Sequence, residues 1–217
     1  MNKCVVYAPR DHRLFDDAIR QIEHVLDVLL VVDQDTGVTE QEVEGYDFDL
    51  LISFLNRIIF RNGLLDGPNV NFHPAPPEYP GRGGASYALF DGAETYGATA
   101  HKMVGTVDTG EIYQVRNFPI LPGEGCEHLY ARSEEVCLDL LEKILHHIRK
   151  NGVLPPPAPI KWKRKTITTK EFEAWLTLDP DDKETFIKKI MAAKHSRYAG
   201  PYIELHGYRF ALADDPD

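Results

Sequence analysis

Asn71 and His73 stand one residue apart in "NVNFHP", residues 69–74, and a stretch with little backbone freedom follows at once, "PAPPEYPGRGG", residues 74–84. Asp108 comes later, on the small-residue turn "VDTG" between two runs that read as strands. An Asn amide can donate to a developing oxyanion, an imidazole can hold or move a proton, and a nearby carboxylate fixes the imidazole tautomer and favours its charged form. Together these are the parts needed for acyl transfer to an amine. Each part alone says little, because a lone histidine is more often a satisfied structural residue and an N-x-H tripeptide recurs by chance. "DTG" also occurs in aspartic proteases, where paired carboxylates share a proton, but the helical segments of this chain do not fit that class.

The elements that must position these groups follow from the hydrophobic pattern. "KCVVYA", residues 3–8, reads as a buried strand, "RLFDDAIRQIEHVL" has helical spacing through Leu14, Ile19 and Ile22, and "LDVLLVVD" and "YDFDLLISFL" read as two more buried strands. Continuous apolar strands alternating with helix indicate an α/β domain with a mostly parallel sheet covered on both faces. Asn71 and His73, two apart on the short strand "VNF", point to the same side. Ligand sites in such sheets lie beyond the carboxyl ends of strands. Pro74 disfavours helix at His73, so the segment reads as a rigid mount for two polar side chains. "GATAHKMV" and "GEIYQVRNFPI" read as further strands, and "SEEVCLDLLEKILHHIRKNG" as the clearest helix, with Ser133 as its expected cap and Arg149, Lys150 and Gly152 at its end.

These elements place an α/β domain at residues 1–152, an extended Pro-rich and basic linker at 153–166, and a small α+β module at 167–217. In that module "TTKEFEAWL" and "DPDDKETFIKKIMAAKH" read as helices, and "YIELHGYRFAL" as a hairpin turning at His206-Gly207. The module is too short to fold alone and is expected to dock on the first domain or on a second subunit. The basic run "KWKRK", residues 161–165, reads as a solvated part of the linker.

With 217 residues, 43% of them hydrophobic, the chain can bury a sizeable core. A formal charge of −10 argues against a nucleic-acid surface, which needs clustered Lys and Arg. Cys4, Cys126 and Cys137 are odd in number and lack metal-ligand spacing, so neither a disulfide framework nor a zinc site is indicated. No apolar stretch is long enough to cross a bilayer, and "MNKCVVYAPRDHR" meets charge too early for a secretory signal, which gives a cytoplasmic expectation.

Asn71-x-His73-Pro74, the "YPGRGGASYALFDG" segment, "YGATAHKM" and Asp108-Thr109-Gly110, in this order, resemble the core of the folate-dependent formyltransferases. That family includes glycinamide ribonucleotide, methionyl-tRNA and sugar N-formyltransferases. The resemblance covers roughly residues 48–120 and implies a Rossmann-like catalytic domain, 10-formyltetrahydrofolate as one-carbon donor, and no metal. It carries the family's catalytic Asn, His and Asp onto Asn71, His73 and Asp108. It also makes Arg57, Ile58 and Ile59 of "NRIIF" candidates for holding the pterin through backbone groups, with Gly105, Thr106 and Val107 lining the other side of that pocket. His101 falls in the family's G-x-T-x-H segment, and site member and strand histidine packed behind the site remain equal readings of it.

The chain departs from the family in having fewer residues before Asn71, as if a strand-helix unit were missing after the second strand. That departure bears on the acceptor. The C-terminal module is similar to the short extension of sugar N-formyltransferases, so an amino sugar, linked to a nucleotide, is the expected acceptor. Tyr79 and Arg82 are the candidate acceptor-binding residues, although Arg82 could instead pair with Glu78. The alternatives are another amine, from aminoacyl-tRNA, glycinamide ribonucleotide or an amino-acid derivative, a non-catalytic folate-binding homologue, or transfer of the formyl group to water. The hairpin's edge strand is a candidate homodimer contact.

Overall fold

The computed structural model describes residues 1–60, 63–196 and 200–211. Four parallel strands form one side of a six-stranded sheet: β1 (Lys3–Tyr7), β2 (Asp27–Val32), β3 (Leu50–Phe54) and β4 (Asn69–His73), in the spatial order β2-β1-β3-β4. β5 (Thr95–His101) continues the sheet antiparallel to β4, and β6 (Ile112–Pro119) closes it antiparallel to β5. Between β2 and β3 lies only the five-residue helix α2 (Glu40–Glu44), capped by Thr39 and Glu42 in a reciprocal box.

One face of the sheet is closed by α1 (Phe15–Glu23) and α4 (Cys126–Asn151). Cys4, Val6, Leu50, Ile52, Val70, Phe72, Ala98 and Ala100 point to it, alternate residues of β1, β3, β4 and β5 that meet Ala18 and Ile22 of α1 and Leu140, Leu141 and Ile144 of α4 in one apolar cluster. The other face carries a smaller cluster, with Val5, Tyr7, Leu51 and Met103, and next to it the polar residues of β4 and β5. α1 is tied to α4 at its start, where His12 meets Glu134 at 3.0 Å and Arg13 reaches Glu134 and Glu135.

The long helix differs from expectation at its start. α4 begins at Cys126 with Gly125 as its N-cap, so Ser133 lies inside it, fully buried, and its Oγ donates to the Tyr130 carbonyl at 2.6 Å. The buried stripe runs back through Ser133 to Leu129 and Cys126, adding two turns whose apolar spacing the polar residues around Ser133 conceal. Its far end is as expected, with Arg149 and Lys150 in the last turn and Gly152 in the left-handed conformation.

The chain then runs extended from Val153 to Thr168 before α5 (Thr169–Trp175), α6 (Lys183–Ala193) and a hairpin of β7 (Tyr202–Leu205) and β8 (Tyr208–Ala211). The turn falls at His206 and Gly207, both with positive φ. This C-terminal part docks on α3 (Gly84–Asp91), where Trp175 meets Tyr87 at 4.7 Å and Phe90 at 5.4 Å between ring centres. Among the described residues, no helix is long and apolar enough to cross a membrane.

Candidate active site

Strand β4 reads Asn-Val-Asn-Phe-His, and the strand period puts Val70 and Phe72 into the helix-covered core while Asn69, Asn71 and His73 line the opposite face. Pairing with β5 sets Asn71 opposite His101 and His73 opposite Thr99. Three of these five polar side chains converge on Asp108, two directly and one through His101. His73 Nδ1 lies 3.3 Å from Asp108 Oδ2, and His101 Nε2 lies 3.1 Å from Asp108 Oδ1. Asn71 Nδ2 is 3.0 Å from His101 Nε2.

The other ring nitrogens face backbone oxygens, which can only accept, so they carry protons: His73 Nε2 donates to the Tyr79 carbonyl at 3.1 Å, and His101 Nδ1 to the Lys102 carbonyl at 2.8 Å. His101 is therefore a member of the cluster, held on both sides, and no mere packing residue. Asn71 is the member that keeps access to solvent, while His73, His101 and Asp108 are buried.

The Pro-rich stretch is held by the strand that follows it. Tyr96 donates to the Pro74 carbonyl at 3.0 Å and Thr99 to the Ala75 carbonyl at 2.8 Å, while prolines leave no N–H groups to satisfy. The loop returns to the site at Gly81, whose N–H donates to Asp108 Oδ2 at 2.8 Å. Gly81 has φ of +86°, and a Cβ there would fall on the Ile167 carbonyl. Asp108 itself has φ of 49°, a conformation that most side chains avoid and that aims its carboxylate back under the strands.

Burial on its own pushes the Asp108 carboxyl's pKa up. The charge of His73, the hydrogen bond and charge of His101 and the Gly81 N–H together outweigh it and hold the group well below the usual carboxylate range. Asp108 is thus an ionised anchor for two imidazoles and a poor proton acceptor. A second Asp-Thr-Gly, residues 35–37, takes no part in this cluster, so the carboxylate pair of an aspartic protease is absent from it.

The remaining candidate residues divide. At the end of β3, Leu55 has φ of 51°, and Asn56 brackets Ile58, donating from Nδ2 to its carbonyl at 3.1 Å and accepting from its N–H at 3.0 Å. Both backbone groups of Ile58 are therefore engaged within the loop. Arg57 and Ile59 are exposed beside it. Gly105, Thr106 and Val107 form an exposed turn next to Asp108, and Met103 at its base shares an apolar cluster with Ile58 and Phe60. Exposed Ile59, Val104 and Val107 give these two segments an apolar character that suits a flat ring.

The Tyr79 ring is buried with Ala75, Ala85 and Tyr96, and its carbonyl faces His73. Glu78 pairs with Lys163 at 2.7 Å, and among the described residues Arg82 makes no ion pair.

Residues 34–145, just over half of the chain, match the family model described as formyl transferase. The chain belongs to the formyl transferase family. The matched segment of this family member contains Asn71, His73, His101 and Asp108. A methionyl-tRNA formyltransferase of Citrifermentans bemidjiense is 26% identical over 137 residues, 61% of this chain and 43% of that protein. The chain thus spans less than half the length of the curated relatives it matches.

In overall fold, this family member resembles the crystal structure of a 4-N formyltransferase from Francisella tularensis, with a TM-score of 0.77, 19% identity, and coverage of 100% of this chain and 98% of that one. It also resembles the N-formyltransferase of Helicobacter canadensis in complex with folinic acid and dTDP-3-aminofucose, with a TM-score of 0.72, 14% identity, and coverage of 96% and 86%.

Two contributors escape a reading by motif. Asn69 accepts from the Met103 N–H at 2.6 Å and donates to the Leu65 and Gly67 carbonyls, so it joins the turn before Asp108 to the loop before β4. Its signal was the alternation of polar residues at 69, 71 and 73. Trp162 packs edge-on against His101 with ring centres 5.0 Å apart, while Lys161, Lys163, Arg164 and Lys165 around it are exposed, as expected of a solvated run. A lone aromatic among lysines was its only sign.

Proposed function

We propose that this protein transfers a formyl group from 10-formyltetrahydrofolate to a primary amine, with an amino sugar linked to a nucleotide as the acceptor class. The observation that carries the reading is the Asn71–His101–Asp108–His73 cluster, lying within the family-matched segment with Asn71 partly exposed. Ile59 and the turn at Gly105, Thr106 and Val107, with Arg57 beside them, are the proposed folate-binding groups, Ile58 acting through the loop that it braces.

The donor supplies a carbonyl attached to nitrogen, and attack by the amine places negative charge on that oxygen while a carbon–nitrogen bond forms. Asn71 Nδ2 donates to this oxygen. His73 joins it by exchanging its Tyr79 carbonyl partner, and ionised Asp108 stabilises the charge on the imidazole. The amine nitrogen loses a proton, the bond to the folate nitrogen breaks, and that nitrogen gains a proton. Because the Asp108 carboxyl sits so low, the imidazole and not the carboxylate is the proposed proton carrier.

For the acceptor, the net charge of −10 disfavours a transfer RNA, and the fold likeness to the Helicobacter canadensis protein, described with an aminofucose nucleotide, extends over the C-terminal part as well. Arg82, with no ion pair among the described residues, is the proposed partner of the acceptor's phosphate. The test is formyl transfer to a panel of nucleotide-linked amino sugars and to methionyl-tRNA. Product with a sugar supports the reading, product with the tRNA alone moves the acceptor to the class of the sequence relatives, and formate release without amine replaces transfer by hydrolysis. A protein that binds folinic acid and yields none of these is a non-catalytic binder.

A further inference from the structure

The extended connector after α4 runs across the candidate site. It is fastened to both loops that build the cluster. On the side of the loop that follows His73, the Lys163 N–H donates to the Pro77 carbonyl at 2.9 Å and the Ile167 N–H to the Pro80 carbonyl at 3.1 Å, while the Arg82 N–H donates to the Ile167 carbonyl at 2.9 Å. On the side of the Asp108 turn, Thr166 Oγ1 donates to the Val107 carbonyl at 2.8 Å, and the Ala158 N–H to the Ile112 carbonyl at 2.7 Å.

At the middle of this span the indole N–H of Trp162 donates to the Gly110 carbonyl at 2.8 Å, two residues past Asp108. Gly110 leaves no room for a side chain against the Lys102 carbonyl, the same oxygen that His101 Nδ1 addresses. With its nitrogen pinned there, the indole stands edge-on to His101 at 5.0 Å and 87° and to His73 at 6.0 Å and 65°. One ring therefore touches both imidazoles that hold Asp108.

We propose that Trp162 is a positioning residue of the candidate active site: the connector delivers a wall that fixes the rotamers and tautomers of His73 and His101 and keeps water off Asp108. The physical need is plain. An imidazole flip exchanges a nitrogen for a carbon at each partner, so His101 holds Lys102 and Asp108 together in only one orientation. The inference rests on the cluster being catalytic only for its kinetic consequence; its structural part stands on the free protein.

The test uses the full chain with Trp162→Leu, which keeps apolar bulk, and Trp162→Phe, which keeps a ring but loses the N–H. The primary readout is the nitrogen chemical shifts of His73 and His101 in the free protein, followed across pH. Wild type should show one ring form at His101, with Nδ1 protonated. Trp162→Leu should show a tautomer mixture and an altered titration, and Trp162→Phe a smaller change of the same kind. In formyl transfer the Leu variant should lose about tenfold or more in kcat with the amine KM little changed, since misplaced groups act on the transition state.

Histidine signals identical to wild type in every variant that folds overturn the proposal. Should Trp162→Leu fail to fold, Trp162→Phe decides by the same signals. If wild type transfers no formyl group, the proposed function falls, while the histidine signals still judge Trp162.

Discussion

The two faces of the sheet are cut from the same strands and closed in different ways. Toward α1 and α4, Val70, Phe72, Ala98 and Ala100 are each at most 1% exposed and share one apolar cluster. On the opposite face of the same two strands stand Asn69, Asn71, His73, Thr99 and His101, covered by loops, a turn and the connector. A helix spends its backbone groups on itself and offers a sheet only side chains, so it suits an apolar face. Irregular chain brings unspent carbonyls and N–H groups. Those of Leu65, Gly67, Ala75, Tyr79, Gly81, Lys102 and Met103 are what satisfy the polar face here. Burying polar groups beside a sheet therefore calls for cover without regular structure, and the site lies under that cover.

The comparison breaks most sharply at Phe72 and Asn71, neighbours on one strand with opposite duties. Phe72→Ala should cost about 3–5 kcal/mol in stability by opening a cavity against Phe54 and the helices, read as a lower urea midpoint, with turnover of the folded fraction little changed. Asn71→Ala should do the reverse, slowing formyl transfer by on the order of 3 kcal/mol in the barrier, a hundredfold or more, with a melting temperature close to wild type and donor binding retained. A variant pair in which both residues mainly affect stability would place the chemistry elsewhere.

A smaller effect sharpens the contrast through pH. The folded-state pKa of Asp108 is depressed, so the stability its interactions contribute is present above the unfolded carboxyl value, near pH 4, and is lost as pH falls below it. The stability difference between wild type and Asp108→Asn should therefore shrink on acidification from about pH 5 to about pH 3. Phe72→Ala, on the apolar face, should differ from wild type by the same amount throughout. A constant difference for Asp108→Asn would mean that the carboxylate is not held by the two imidazoles.

Much of this was legible before any coordinates. The alternation in Asn69–His73 and the small-residue turn at Asp108 placed a chemical site on strand and turn, and the caps at Thr168 and Gly152 marked two helix ends by local chemistry. Ser133 misled because the same residue type that caps a helix also sits well inside one when its hydroxyl can turn back to a carbonyl, here that of Tyr130. At Tyr79 the sequence could not say that the carbonyl would face His73 while the ring packs among Ala75, Ala85 and Tyr96, because that depends on how the loop folds back.

The amino-acid sequence by itself determined most of the strands and helices, the polar stripe on β4 and the identity of the candidate groups, because period, capping and side-chain chemistry act over a few residues. Tertiary structure alone decided that His101 shares Asp108 with His73, that Gly81 completes the carboxylate's partners, and that Trp162 lies against both imidazoles. Those contacts join segments far apart along the chain. Their geometry depends on how strands pair and how the connector crosses them, which no local pattern encodes.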